Sequence, residues 1–299
     1  MSIASVGIDI GGTKIEAVAI ERAGELHVLN RTRIPTRAHN GYDALVETVS
    51  RFIVEFIKDY PGIHAVGVGM PGSTDGEGRI KNSNTTCLNG RLFRQDVQAR
   101  VPLLLRFAND ANCFALAEAQ LGAGKGHDMV FGVIMGTGVG GGLVINGAFR
   151  DGPHTICGEW GHTTLWPDHP DRCYCGKRGC VEQFISGPGV ENFFESITGM
   201  RLPLQRILEK ENSGDIAACQ SIETLLDNYG RALSNVINIL DPDIIVLGGG
   251  VSNVPQLYGL GFEKVAQYVF SDICHTPIVQ NQLGDSAGVL GAALLSVDS

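Results

Sequence analysis

Three apolar segments of the chain each run directly into a group of glycines. The glycines stand at residues 11–12, at 136 and 138 on either side of Thr137, and at 248–250. Short apolar runs that end in glycine are typical of strands followed by tight turns. An apolar run resumes after each of the first two turns, so the pattern predicts two β-hairpins. We interpret them as one element used twice, which suggests two similar lobes. The third glycine group is predicted to lead into a helix.

Apolar side chains also recur at helical spacing between these segments. This spacing predicts helices over residues 42–58, 112–122 and 222–240. Strands that alternate with helices indicate an α/β protein. Residues 166–180 show little periodicity, and such a long irregular loop cannot be held by the burial of apolar side chains alone. Another interaction is therefore expected to pin this loop.

A cluster of metal-binding residue types lies in and beside that loop. Cys173, Cys175 and Cys180 supply three thiolates, and His162 lies upstream. Three sulfurs and one imidazole form a tetrahedral ligand set that suits zinc. The alternative is three unrelated buried cysteines. Four protein ligands leave no open position for a substrate, so the ion is interpreted as structural.

Two of the glycine turns are candidates for phosphate binding. They are Asp9-Ile10-Gly11-Gly12-Thr13-Lys14 and Gly136-Thr137-Gly138. Residues without a Cβ allow the backbone to approach a phosphate, and threonine hydroxyls add donors. Neither turn matches the P-loop or the Rossmann pattern. Each alone is better explained as a plain hairpin turn, whereas both together with the turn at 248–250 favour a nucleoside triphosphate.

Several carboxylates are candidates for acid–base chemistry and for binding hydroxyl groups. Asn109-Asp110 has the form of an ordinary helix N-cap. A kinase of small alcohols also needs a carboxylate beside the attacking hydroxyl, and Asp110 is the candidate. Glu159 and Glu182 flank the cysteine loop, and with His162 they form a set suited to vicinal hydroxyls. The alternative for this set is a solvated acidic surface.

Composition and charge exclude several classes of protein. The net charge is −9 with 18% charged residues, which argues against non-specific binding to nucleic acid or anionic membranes. The amino terminus has no pattern of a secretory signal, and no apolar run is long enough to span a bilayer. A cytoplasmic protein with reduced cysteines is therefore expected. The five cysteines outside the cluster are predicted to be small buried side chains: Cys87, Cys113, Cys157, Cys219 and Cys274.

Taken together, the motifs resemble those of the ROK sugar kinases, a family named for repressor, open reading frame and kinase. The matching motifs stand in the family's order over nearly the whole chain: Asp9 to Lys14, Gly69-Met70-Pro71-Gly72, Asn109 to Asn112, Gly136 to Gly142, Gly158 to His162, Cys173 to Glu182, and Gly248-Gly249-Gly250. The glycine turns alone are not specific. The cysteine loop joined to Glu-x-Gly-His is specific.

The resemblance implies a role for each matched position. Asp110 is the expected general base on the sugar's 6-hydroxyl. The residues expected to bind the sugar are Gly72, Asn84, Asn89, Asn109, Glu159, His162 and Glu182. Those expected around ATP and magnesium are Asp9, Gly11, Gly12, Thr13, Lys14, Gly136, Thr137, Gly138, Gly248, Gly249 and Gly250. His162 is expected to act twice, because it is also a zinc ligand with Cys173, Cys175 and Cys180.

The resemblance also implies the fold, an actin-like ATPase of the hexokinase type with two α/β lobes and a central cleft. The first lobe is expected to span residues 1–112 and to be joined by a C-terminal helix at 286–299. The second is expected to span 113–285 and to carry the zinc loop at 162–180. ATP, Mg²⁺ and structural Zn²⁺ are the expected cofactors, a sugar is the substrate, and a homodimer is expected.

The nature of the acceptor sugar is a separate question. Residues 80–90 and 284–289 most resemble the bacterial fructokinase branch of the family. Fructose is therefore the first expectation, followed by N-acetylglucosamine and then glucose. A repressor would need an N-terminal helix-turn-helix domain, for which the first strand, near residue 3, leaves no room. A sugar sensor without turnover and a zinc-stabilised interaction module are the alternatives from other classes.

Overall fold

Both predicted hairpins are present in the computed structural model, which describes residues 4–23, 25–83 and 85–296, with the side chains of residues 22, 23 and 25 excluded. The strands are β1 (Ser5–Ile10), β2 (Lys14–Ala23), β3 (Glu25–Pro35), β4 (Ala65–Met70), β5 (Ser73–Thr74), β6 (Ile80–Lys81), β7 (Leu104–Asn109), β8 (Met129–Met135), β9 (Val139–Ile145), β10 (Ala148–Phe149), β11 (Ile244–Gly248) and β12 (Ile278–Gln280). The helices are α1 (Tyr42–Ile57), α2 (Phe93–Gln98), α3 (Asp110–Leu121), α4 (Glu182–Ile185), α5 (Gly187–Thr198), α6 (Leu204–Asn212), α7 (Ile216–Leu240), α8 (Leu260–Tyr268) and α9 (Ala287–Leu295). The hairpins are β1–β2 and β8–β9, both antiparallel.

The three helices predicted from spacing are confirmed as α1, α3 and α7. Helices α3 and α7 begin earlier than predicted because polar side chains cap them. The Asn109 side chain accepts a hydrogen bond from the Ala111 backbone at 2.7 Å, and the Asp215 side chain accepts one from Ala218 at 3.0 Å. Such caps satisfy backbone N–H groups that apolar periodicity does not report.

The helix predicted directly after the third glycine group is wrong. The chain there forms two short 3-10 turns over residues 250–253 and 255–258, and α8 begins only at Leu260. Gly249 has a φ of +81°, a conformation outside the right-handed helix. Pro255 starts the second turn and lacks the N–H that a continuous helix would need.

The first of two compact units contains residues up to 125, residues 147–157 and residues from 283 onward. Its sheet has the order β3-β2-β1-β4-β7, in which β4 runs parallel to both β1 and β7. The apolar side chains of β1 and β4 form a core cluster with α1, which contributes Leu45, Val49 and Ile53. The boundary expected at residue 112 falls inside α3, and the unit continues to residue 125.

Close contact between α9, α3 and the sheet explains that difference. A Cβ on Gly67 of β4 would lie 1.7 Å from the carbonyl oxygen of Ala292 in α9. A Cβ on Gly291 of α9 would lie 1.8 Å from the carbonyl oxygen of Cys113 in α3. Both distances are far below van der Waals contact, so only glycine lets these backbones approach. Helix α3 therefore packs as part of the first unit.

The second unit contains residues 126–146 and 158–282. Its own strands follow the order β9-β8-β11-β12, with β11 parallel to β8 and β12. Residues 158–162 lie tightly on β9, because a Cβ on Gly161 would be 2.0 Å from the carbonyl oxygen of Val139. Across the residues described, no helix has both the length and the apolar character needed to cross a membrane.

Candidate functional site

Two predicted site carboxylates lie at the carboxyl ends of parallel strands in the first sheet. Asp9 is near the end of β1, and Asp110 directly follows β7. Strand β4 lies between them, with Gly69 paired to both Asp9 and Ala108. The carboxyl ends of parallel strands are a common location for ligand binding in α/β proteins. The fold thus brings together two residues that are about 100 positions apart in the sequence.

Asp110 is accessible but electrostatically unusual. It is the first residue of α3, and its Oδ1 accepts a hydrogen bond from the Ala111 backbone at 2.9 Å. The side chain is exposed to solvent, yet the protein around it is dense enough that desolvation raises the pKa of the carboxyl. An accessible carboxylate with a raised pKa is a candidate for proton transfer.

Asp9 is partly buried beside the first turn of α9. A Cβ on Gly288 would lie 3.2 Å from its Oδ2 atom. Burial raises the pKa of Asp9 to about 7, and the negative charges of Asp110 and Glu16 add to the rise. Burial and the neighbouring negative charges disfavour the ionised form of Asp9. A bound cation would stabilise that form, because a nearby positive charge favours the ionised carboxylate.

The raised pKa of Asp9 predicts a pH-dependent stability. The folded protein binds this proton more tightly than the unfolded chain, so without nucleotide or magnesium the contribution of Asp9 to stability falls as pH rises from 3.8 to about 7. A shift of about 3 pKa units corresponds to about 4 kcal/mol, which partial solvation reduces. We expect Asp9→Asn to raise the free energy of unfolding by about 1–2 kcal/mol at pH 8, measured by urea denaturation.

The exposed Asp59, two residues beyond the end of α1, provides the matched control. Asp59→Asn makes the same chemical change and should leave the pH profile of the wild type unaltered. Equal pH profiles for wild type and Asp9→Asn would contradict the prediction.

The first glycine turn is closed by a hydrogen bond from the Gly11 N–H to the Lys14 carbonyl at 2.9 Å. Gly12 and Thr13 are exposed, and the Thr36 hydroxyl donates to the Gly11 carbonyl at 2.7 Å. Lys14 begins β2, with its Nζ 3.7 Å from Glu16. The buried Glu16 carboxylate also pairs with Arg31 and with Arg33, the latter at 2.8 Å. The sequence does not predict this pairing, because Arg31 and Arg33 reach Glu16 only when β3 pairs with β2 in the folded sheet.

The other two glycine turns lie at the carboxyl ends of β8 and β11, which are adjacent in the second unit. Gly136 donates to the Gly138 carbonyl at 2.9 Å, which closes the turn around the exposed Thr137. Gly248 ends β11, and the exposed Gly249 and Gly250 follow it. The accessible backbone N–H groups of such turns are suited to phosphate oxygens.

Glu182 and Glu159 both lie close to β9. Glu182 begins α4, and its Oε2 accepts a hydrogen bond from the Val139 backbone at 2.9 Å. Burial raises the pKa of Glu182. Glu159 directly precedes the 3-10 turn of residues 160–162, which ends at His162. The Trp160 indole anchors this turn by donating to the Gly140 carbonyl at 2.9 Å.

The four predicted metal ligands come together in the second unit. The donor atoms of His162, Cys173, Cys175 and Cys180 all lie within 4.8 Å of one another. The Cys175 and Cys180 sulfurs are 3.5 Å apart, and the Cys173 sulfur is 3.7 Å from His162 Nδ1. Tetrahedral zinc bonds of about 2.3 Å place ligand atoms about 3.8 Å apart, so the donor set fits such an ion.

The other predicted sugar-binding residues and the scattered cysteines differ in their contacts and burial. Both polar atoms of the Asn89 side chain bond the Ser83 backbone, at 2.9 and 3.0 Å. The Gly72 carbonyl accepts from the Asn109 side chain at 3.4 Å. Asn84 lies outside the described residues. The prediction that the five other cysteines are buried is correct for Cys113 and wrong for the exposed Cys219; the other three are partly exposed.

Sequence reasoning missed Tyr174. Its hydroxyl lies 2.9 Å from His162 Nε2, and its ring meets the imidazole edge-on with centroids 5.1 Å apart. Tyr174 also lines a groove of about 610 Å³ together with Thr137 and Glu182. Its location between two predicted ligands was visible in the sequence. Its contact with the histidine depends on the folded loop.

A family model described as ROK family matches residues 5–299. This match covers almost the entire chain. The chain belongs to the ROK family. The similarity is therefore not confined to the cysteine loop or to one of the two units.

Individual proteins are similar to this chain over nearly their whole length. An N-acetyl-D-glucosamine kinase of Pectobacterium atrosepticum is 36% identical over 299 residues, which cover 97% of each chain. The crystal structure of a ROK hexokinase from Thermus thermophilus has a TM-score of 0.86 at 30% identity, covering 98% of this chain and 97% of that one. A ROK glucokinase from Streptomyces griseus, in complex with glucose and AMPPNP, has a TM-score of 0.78 at 28% identity, covering 98% of each chain.

These matches confirm the expected fold class, the actin-like fold of hexokinase type. They do not support the expected fructokinase branch. Curated relatives from several bacteria carry the name N-acetyl-D-glucosamine kinase, as in Pectobacterium and Photobacterium profundum. Residues 80–90 and 284–289 are short stretches, whereas the identity to these relatives extends over the whole chain.

Proposed function

We propose that this protein is an ATP-dependent sugar kinase that transfers the γ-phosphoryl group to the 6-hydroxyl of N-acetylglucosamine. The observation that carries the proposal is Asp110, an accessible carboxylate with a raised pKa at the amino end of α3. Full-length similarity to N-acetyl-D-glucosamine kinases supports the reaction class and the acceptor.

In this proposal Asp110 takes the proton of the attacking hydroxyl. Phosphoryl transfer needs little covalent chemistry from the protein, so catalysis depends on positioning and on neutralising charge. Asn109 orients the sugar beside Asp110. Lys14 binds the phosphates directly. Asp9 would hold a magnesium ion, whose charge would neutralise the phosphates. The exposed backbone of the glycine turns binds phosphate oxygens.

The second unit contributes sugar-binding groups and a structural metal. Glu159 and Glu182 are proposed to accept hydrogen bonds from sugar hydroxyls. The Cys₃His set is proposed to bind zinc, which would stabilise the loop without taking part in the reaction. This role fits the loop, because the eight residues from Cys173 to Cys180 are cysteine, glycine, tyrosine, lysine or arginine and offer no aliphatic side chain for a core.

Fructose is the second candidate acceptor, favoured by the stretches at 80–90 and 284–289. Release of ADP from Mg-ATP by the purified protein separates the two candidates. The acceptor panel is N-acetylglucosamine, fructose, mannose, glucose and N-acetylmannosamine. We expect the highest kcat/KM with N-acetylglucosamine. Asp110→Asn, purified in parallel, controls for contaminating kinases.

Other outcomes would change the proposal in defined ways. A kcat/KM for fructose at least about tenfold higher than for N-acetylglucosamine, a difference of about 1.4 kcal/mol, would establish the second candidate. Sugar binding without turnover of any acceptor, in protein that contains its metal, would overturn the kinase and favour a sensor.

A further inference from the structure

The chain passes between the two compact units four times, after residues 125, 146, 157 and 282. The first passage directly follows α3, in the glycine-rich segment Gly122-Ala123-Gly124-Lys125-Gly126. The last passage comes shortly before α9. These two segments have no role in the chemistry proposed for the protein. They do, however, connect groups of both units that act on the same substrates.

One buried carboxylate holds both segments. Glu118 lies in the last turn of α3, and its side chain is not exposed to solvent. Its Oε2 accepts a hydrogen bond from the Ala123 N–H at 2.9 Å, and its Oε1 accepts one from the Leu283 N–H at 2.9 Å. Hydrogen bonds to a carboxylate are about twice as strong as those between neutral groups. Each carboxylate oxygen therefore fixes one of the two segments.

The backbone of Glu118 adds to the same attachment. Its carbonyl oxygen accepts hydrogen bonds from the N–H groups of Gly122 and Gly124, at 3.1 and 2.9 Å. A Cβ on Gly122 would lie 2.1 Å from Glu118 Oε2, so a larger residue there would push the carboxylate out of its position. The glycine thus lets the chain turn closely around the carboxylate as it leaves α3.

Glu118 shares helix α3 with the proposed general base. Asp110 is the first residue of this helix. The helical rise of 1.5 Å per residue places Glu118 about 12 Å further along the axis. The helix is packed tightly, because a Cβ on Gly291 of α9 would lie 1.8 Å from the Cys113 carbonyl oxygen. Helix α3 is therefore a rigid connection between the base and the two segments.

We propose that Glu118 is a positioning residue for phosphoryl transfer, because it fixes the two points at which the chain leaves the first unit relative to Asp110. The inference rests on the proposed function of the protein as a sugar kinase. In that function Asp110 of the first unit and Glu182 of the second act on the same sugar. Connecting segments that are fixed to α3 couple the binding of nucleotide to the binding of sugar.

Glu118→Gln tests the proposal. The amide keeps one acceptor oxygen, but its NH₂ group cannot accept a hydrogen bond from a backbone N–H, so one segment is released. We expect kcat to fall about 10- to 100-fold, because a misplacement of about 1 Å caused by a distant substitution can cost about 100-fold. The preferred acceptor and a non-hydrolysable ATP analogue should each bind alone with a Kd within about twofold of wild type.

Coupling between the two substrates is the readout that a merely structural role would not change. In wild type we expect the ATP analogue to tighten sugar binding at least about fivefold, the lower end of the usual range for coupled sites. In Glu118→Gln this factor should fall below about twofold. Calorimetric titration of sugar with and without the analogue measures it. A lower global stability would reduce the folded fraction and leave the coupling in folded molecules unaltered.

Glu191→Gln is the matched control. Glu191 of α5 also accepts a hydrogen bond from a backbone N–H, that of Leu204 at 3.2 Å. Both residues lie inside the second unit, away from the chain passages. The chemical change is the same, so this variant should keep the kcat and the coupling factor of wild type.

Gly126→Ala tests the proposal even if Glu118→Gln does not fold. Gly126 is the first residue after the passage and has a φ of +90°, and a Cβ there would have nothing of the described chain within 4 Å. Alanine is strained in this conformation, so the direction in which the chain enters the second unit should change. We expect coupling to fall below about twofold and kcat to fall about 3- to 10-fold.

Gly214→Ala is the control for this second variant. Gly214 lies in the turn between α6 and α7, with a φ of +80° and equal space around a Cβ. It lies inside the second unit, so the same substitution should leave kcat and coupling unchanged.

Several results would overturn the inference. Unchanged kcat and coupling in Glu118→Gln or in Gly126→Ala would show that the connecting segments do not position the reacting groups. Equal losses in the control variants would show a general effect of such substitutions. An active wild type without coupling would leave Glu118 nothing to transmit. Wild type that neither binds nor phosphorylates any sugar of the panel would instead overturn the proposed function, and this inference with it.

Discussion

Asp110→Asn is expected to lower turnover by about 10²- to 10⁴-fold, the usual contribution of a general base. The amide cannot accept the proton of the attacking hydroxyl. Its carbonyl oxygen can still accept the hydrogen bond from the Ala111 backbone, so helix α3 should keep its first turn. Sugar affinity, measured without ATP, should therefore survive. Steady-state ADP release and calorimetry on the same sample measure both quantities.

The pH dependence of the wild type adds a second signature of Asp110. Desolvation raises the pKa of this carboxyl, so the base becomes protonated at a higher pH than an ordinary aspartate. The kcat/KM should fall as the pH is lowered through that raised pKa, and the residual activity of Asp110→Asn should lack this fall. Asp59→Asn is the control for the substitution itself. Unchanged turnover in Asp110→Asn would remove Asp110 from the mechanism.

Cys175→Ala is expected to empty the metal site. The wild type should contain about one zinc ion per chain, and the variant should lose it on dialysis because three ligands remain. Metal affinity should fall by more than about 100-fold. Loss of a residue that only hydrogen-bonds a metal ligand already lowers the affinity by about 10- to 100-fold, and loss of a ligand itself should cost more. The KM for sugar should rise by more than about tenfold, because His162 loses the position that the metal gives it. Atomic absorption and steady-state kinetics measure the two effects.

The loop explains why the effect should be large. Apart from short bridges such as Thr164 to Cys180, it has little regular structure, and the ion would replace apolar packing as its anchor. A chelator added to wild type should reproduce the rise in KM. Cys219→Ala, at an exposed cysteine outside the cluster, should leave metal and kinetics unchanged. Retention of both zinc and sugar affinity in Cys175→Ala would exclude Cys175 as a ligand.

The two hairpins and the convergence of the four predicted metal-binding side chains were predictable from the sequence because their determinants are local. An apolar run that ends in glycines predicts a strand followed by a tight turn. This pattern was enough to predict the β1–β2 and β8–β9 hairpins. Cysteine spacing likewise limits which side chains can meet around one ion, and the four predicted donors do converge. The starts of α3 and α7 were predicted less well because side-chain caps, not periodicity, set them.

Contacts between distant segments were decided only by the tertiary structure. Strand β4 pairs with both β1 and β7 and so places Asp9 and Asp110 at the same end of the sheet. The packing of α9 against Gly67 and Cys113 makes α3 part of the first unit. The environments that raise the pKa values of both carboxyls have no counterpart in the linear chain.

The same holds for Tyr174, whose contact with His162 exists only when the loop is folded. The sequence by itself determined which residue types are available and which local turns they form, because backbone geometry and short-range spacing depend on neighbours in the chain. The tertiary structure decided burial, charge neighbours and the partner of each polar atom. These depend on segments far apart in sequence, whose approach is set by packing.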